Sequence, residues 1–189
     1  MLFLNRHKAE KQKPAVSAKD FEDLYRAHKS LVYGVALRYL RCRDDANDAV
    51  QETFISIYTN FAQYNPEKPL IPWIKKIAIN SCLMYMRSNY RYKLTDSDAP
   101  FEAIAPEIYL EDERASAERT QREMLDLLHL LPDGYRMVFN LYAIDGLTHK
   151  EIAEYLEISE STSRTQLLKA RKMIKGLLES KMQTNYERA

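Results

Sequence analysis

A chain of 189 residues holds one ordinary domain or two small ones. With 46% hydrophobic and 29% charged residues, its composition suits a soluble globular protein. The net charge of +1 excludes nothing by itself, because it averages two opposed segments. Residues 94–113 carry seven acids and no Lys or Arg, whereas residues 160–189 carry seven Lys or Arg against three acids.

The first element starts at Ser17, an N-cap candidate with Asp20 three residues on. Phe21, Leu24, Tyr25, His28, Leu31, Val32, Val35, Ala36 and Tyr39 then recur at helical spacing. A second helix fits residues 44–61, with Ala46, Val50, Phe54, Ile57 and Phe61 on one face and acids in its first turn. "NPEKPLIP" reads as a loop, since Pro66, Pro69 and Pro72 cannot all lie inside a helix. A third helix is expected over about residues 73–91, burying Ile74, Ile77, Ala78, Cys82 and Tyr85.

The acidic segment 94–113 holds Pro100 and Pro106 and no sustained periodicity, so it reads as a linker. A second helical unit follows, in which Pro132 ends one helix and Gly146 follows the next. The division expected is a disordered basic arm over 1–16, a domain over 17–93, the linker, a domain over 114–180 and a tail over 181–189. With few glycines and no alternating Val/Ile run, the fold class is all-α, two small helical domains joined by an acidic linker.

"LTHKEIAEYLEISESTSRTQLLKAR" closes the second unit. Thr148 and Glu151 make a T-x-x-E capping box, and Ile152, Ala153 and Leu156 form the inner face of the helix it starts. Glu157, Ile158 and Ser159 have the length of a helix-turn-helix turn. On the next helix Ser163, Leu167, Ala170, Ile174 and Leu178 point inward, leaving Ser161, Arg164, Thr165, Leu168, Lys169 and Lys172 outward. Such a helix suits a DNA major groove, with Arg164 offered to guanine, Gln166 at the edge of the face offered to adenine, and Lys169 and Lys172 to phosphates. An ordinary amphipathic hairpin with a solvated basic face is the competing reading.

The third helix sets Lys76, Asn80, Arg87 and Arg91 along one stripe, flanked by Lys75, with Trp73 at its start and Tyr90 and Tyr92 at its end. Cations interleaved with aromatics are what a single strand needs for backbone and base contact. Cys42 and Cys82 have no metal spacing, and no cluster of nucleophile, base and orienting group occurs. Neither an enzyme nor a cofactor or metal site is expected. "MLFL" is too short for a signal peptide and no apolar run would span a bilayer, so the expected location is the cytoplasm.

"DANDAVQETFISIYTNF" followed by "PWIKKIAINSCLMYMRSNYRY" resembles region 2 of extracytoplasmic-function sigma factors, and residues 131–178 resemble their region 4. The resemblance implies a promoter-specificity subunit that binds core RNA polymerase, at its β′ clamp and β flap, and promoter DNA. It implies that Asp48, Gln51 and Glu52 meet the clamp. It implies that Tyr64, Trp73, Lys75, Lys76, Asn80, Arg87, Tyr90 and Arg91 hold melted strand, and that Ser161, Arg164, Thr165, Gln166, Leu168, Lys169 and Lys172 read duplex. It leaves an anti-sigma factor open as a further partner. Lys75 stands where the family often has an aromatic, Ser161 where it has Gly, and Gln166 where it has Arg. A stand-alone helix-turn-helix regulator and an adaptor that binds polymerase without reading DNA remain the alternatives.

Overall fold

The computed structural model describes residues 17–89 and 116–186, and among the described residues all regular structure is helical. In the first half α1 (Ala18–Tyr39), α2 (Arg43–Asn60) and α3 (Leu70–Asn89) pack into a three-helix bundle. Ser17 caps α1 as expected, its hydroxyl oxygen accepting the Asp20 N–H. Phe21 and Tyr25 pack on Phe54 of α2, with ring centroids 6.4 and 4.6 Å apart. Only the C-terminal half of α1 is fully buried, at Val32, Val35, Ala36 and Tyr39.

One boundary differs from expectation. α3 begins at Leu70, so Pro72 lies inside the helix rather than in the loop. It sits in the first turn, where N–H groups have no intrahelical partner and proline costs nothing in hydrogen bonding. α3 buries Ile74, Ala78, Ile79, Cys82, Leu83 and Met86, whereas Ile77 and Tyr85 are half-buried. Tyr85 donates to Asp45 of α2 at 2.7 Å.

In the second half α4 (Ser116–His129) is followed by α5 (Asp133–Phe139), which runs into a π-helical turn over Asn140–Ile144. Gly146, at φ +77°, then reverses the chain, a conformation that side chains rarely adopt. α6 (His149–Leu156) and α7 (Glu160–Tyr186) form the helix-turn-helix. The capping box is present: the Glu151 N–H reaches the Thr148 hydroxyl, and the Thr148 N–H reaches the Glu151 carboxylate at 2.8 Å. Glu157 takes the left-handed conformation at the turn (φ 57°), and the Ser159 hydroxyl accepts the Thr162 N–H to start α7. Ser163, Leu167 and Ala170 are buried as expected, Ile174 is half-buried, and Leu178 is exposed, contrary to the inward position expected of it.

The two halves share one apolar cluster, in which Val32, Leu40, Ile74 and Leu83 join Met137, Val138, Leu141, Ile152 and Leu156. At its edge the last carbonyls of α1 have no intrahelical donors. The second half supplies them: His129 donates to Leu37, Asn140 to Arg38 and Arg136 to Tyr39, at 2.7, 2.8 and 3.0 Å. Arg38 also pairs with the nearly buried Asp145 at 2.9 Å, and the Tyr39 hydroxyl donates to the same carboxylate at 2.7 Å.

Candidate nucleic-acid interface

The junction of α2 and α3 builds a cleft of about 390 Å³. The chain leaves α2 through a short 3-10 turn over Phe61–Gln63 and then turns again, with the Lys68 N–H bonded to the Asn65 carbonyl and the Glu67 N–H to the Asn65 side chain. The Tyr64 hydroxyl donates to the Lys68 carbonyl and closes the loop. Tyr64 and Trp73 lie 5.1 Å apart at 45°, with Phe61 edge-on to Trp73 behind them. Tyr64, Trp73 and Lys76 line the cleft together with Asn65, Lys68 and Pro72. Aromatic walls with cations beside them suit an unstacked base and its phosphate.

Lys75 is half-buried and does not line this cleft. Asn80 is exposed one turn along α3, on the same face as Lys76. Arg87 is exposed but already engaged, since it donates to the Tyr155 carbonyl at 2.5 Å and lies 3.8 Å from the Glu157 carboxylate. Tyr90, Tyr92 and Arg91 lie outside the described residues. Met84 is 67% exposed between Asn80 and Arg87, an apolar member of the same stripe. Its spacing of four residues from Asn80 places it there.

On α7, Ser161, Arg164, Thr165, Leu168 and Lys172 are exposed together, Leu168 to 69%. Arg164 is held by Glu160 at 2.6 Å, an i,i+4 pair that keeps the guanidinium on the outer face. Lys169 is half-buried, its ammonium 5.9 Å from the Tyr135 ring centroid. Gln166 is a correction. It is 5% exposed, points away from the exposed outer face of α7, and its amide packs where a side chain at Gly134 would meet it at 3.2 Å. Its position two residues from Arg164 turns it toward α5, so it cannot pair with adenine in this arrangement.

On α2, Asp48, Gln51 and Glu52 are all exposed on one face. That face continues into Ile55, which is 58% exposed four residues after Gln51, and into Tyr58. Tyr58 is packed edge-on against Phe21 of α1, with ring centroids 5.0 Å apart, which leaves Ile55 as the exposed aliphatic beside the acidic edge. Among the described residues no group of His, Cys, Asp and Glu could hold a metal ion, and no helix is long and apolar enough to cross a membrane.

Family models match both halves in order: Sigma-70 region 2 over residues 24–92 and Sigma-70, region 4 over residues 121–174. The chain belongs to the sigma-70 family. It is similar to the ECF RNA polymerase sigma-E factor of Haemophilus influenzae, at 27% identity over 172 residues, covering 87% of this chain and 90% of that one. The ECF RNA polymerase sigma factor SigM of Bacillus subtilis is 27% identical over 158 residues, covering 82% and 93%. Among solved structures, the sigma factor RpoE of Bartonella quintana, crystallised with the anti-sigma factor NepR, shares the fold. Its TM-score is 0.56 at 20% identity, with 85% of this chain and 98% of that one covered. The chain is therefore a sigma factor of the extracytoplasmic-function type, which directs core RNA polymerase to promoters and assists their opening.

Proposed function

We propose a division of this sigma factor's work among three surfaces. The Tyr64–Trp73 cleft takes a base extruded from the melted promoter strand, with Lys76 and Asn80 along its backbone. The outer face of α7, from Ser161 through Arg164, Thr165 and Leu168 to Lys172, reads duplex DNA further upstream. The α2 face of Asp48, Gln51, Glu52 and Ile55 binds the polymerase. The observation that carries this reading is the cleft, where a packed aromatic pair, Tyr64 and Trp73, and two lysines, Lys68 and Lys76, line one space open to solvent. Extrusion of a base costs a few kcal/mol, and preformed aromatic walls offset it without any bond being broken. The chain itself then does no covalent chemistry, works where polymerase works, in the cytoplasm, and is a candidate to be held by an anti-sigma factor.

Run-off transcription with core polymerase tests the reading. The expected result is initiation at promoters identified by transcript mapping after controlled overexpression. Arg164→Ala should alter which of them fire, and Trp73→Ala should retain binding to duplex while losing opening. If core polymerase with this chain initiates on none of the promoters so recovered, the proposal is wrong.

A further inference from the structure

His149 stands at the flank of the reading face, outside every surface assigned so far. Its ring lies 4.6 Å from that of Tyr142 at 22°, a stacked pair between the start of α6 and the π turn after α5. The guanidinium of Arg171, from α7, sits 5.7 Å from the same Tyr142 ring. His149 Nδ1 is 2.9 Å from the hydroxyl of Ser163, which is fully buried on α7. The ring is thus fixed in plane by the stack and in rotation by the hydrogen bond, and it is partly exposed. The charged groups acting on it are Arg164, Glu160 and Arg171 of α7.

We propose that His149 is a titrating contact to a phosphate of the bound duplex, presented through Nε2 beside the recognition helix. This rests on the assignment of the outer face of α7 to duplex DNA. A ring at the first position of the leading helix flanks the groove-bound helix, where backbone phosphates run. The Ser163 hydroxyl suits both protonation states, because it donates to Nδ1 when the ring is neutral and accepts from Nδ1–H when the ring is charged. Protonation therefore preserves the His149–Ser163 hydrogen bond. In the free chain partial burial holds the His149 pKa below its ordinary value, and Arg164 and then Arg171 outweigh the opposing pull of Glu160. A phosphate reverses that balance by supplying the missing anion. DNA then binds more tightly as pH falls toward the histidine range, with a ceiling of about tenfold per pH unit for one group.

The test uses holoenzyme reconstituted from core polymerase and the full chain, bound to a duplex promoter fragment at fixed ionic strength between about pH 6 and about pH 8. Wild type should outbind His149→Gln several-fold at the acid end and equal it at the alkaline end. His149→Arg, a fixed cation, should remove the pH dependence and keep tight binding at the alkaline end. A measurement on wild type alone avoids any folding defect: the slope of log affinity against log salt should steepen by about 0.9 at the acid end, as one more phosphate is neutralised. A ratio of wild type to His149→Gln that stays constant with pH, or an unchanged salt slope, overturns the inference and leaves the promoter reading intact. Holoenzyme that recognises no promoter overturns both.

Discussion

Gln166 illustrates how one position of helical phase decides a role. Its neighbour Thr165 faces solvent, while Gln166 turns under the helix and buries an amide whose Oε1 has no hydrogen-bond partner. A buried polar atom without a partner costs stability, so removing the polarity at constant shape should not hurt. Gln166→Met is expected to leave promoter choice unchanged and to keep or raise stability by about 1 kcal/mol. Thermal melting together with transcript mapping reads both; a shifted promoter set would return Gln166 to the reading face. The cysteines divide by the same logic. Cys82 is fully buried and burial pushes its thiol up to about 12, whereas Cys42 is exposed. The thiolate is the reactive form, so one thiol per native chain should label quickly and the second only on unfolding. Two fast-labelling thiols would contradict the packing of α3.

At the scale of elements, the helices and their caps were legible because they rest on local chemistry. Ser17, the Thr148–Glu151 box and the residues 157–159 turn are short-range signals, and each acts in the structure as its spacing predicts. The start of α3 was not legible, because a proline-rich stretch reads as a breaker although the first turn has no hydrogen bond for Pro72 to remove. That displacement matters to the site, since Pro72 becomes part of the cleft wall rather than of a loose loop. The cleft itself was only half legible. Tyr64 and Trp73 were visible as aromatics near a Pro-rich stretch, but nothing in their separation along the chain says that their rings meet. If the wall is what holds a base, Trp73→Leu should keep the bundle folded and lower strand opening. Loss of base–aromatic stacking is worth about 1–3 kcal/mol, or roughly fivefold to 150-fold in opening equilibrium. Fluorescence of a base analogue in the melted region measures it, and an unchanged signal would remove Trp73 from the site.

At the scale of the whole molecule, the packing of the two halves was not legible at all, because it joins residues about a hundred positions apart. The C-terminal carbonyls of α1 need donors, and only the folded second half says that they are His129, Asn140 and Arg136. A second contact between the halves engages Arg87, a cation of the stripe expected to meet melted strand, at the helix-turn-helix turn. The packed arrangement and a strand laid along the whole of α3 therefore compete for one guanidinium. Asp145 is the carboxylate on which Arg38 and Tyr39 converge; burial, and then that carboxylate, hold the Tyr39 phenol well above its ordinary pKa, so it stays a donor. Asp145→Asn would leave Arg38 largely buried without its anion, which costs about 3–5 kcal/mol for a buried pair. Because the pair joins the halves, the loss should appear first as their separation, read as a larger radius of gyration by small-angle scattering with helical content retained. Acid should act the same way. Burial holds the pKa of His129 below 6.5 in the packed state, with Arg136 and Arg41 also disfavouring its charge. A histidine that is harder to protonate when packed binds more protons when released. The contribution of His129 to packing is thus complete above about pH 6.5 and is lost as pH falls below it, by at most about 1.4 kcal/mol per pH unit. His129→Gln should flatten that dependence, and scattering profiles that stay pH-independent in wild type would exclude His129 as its cause.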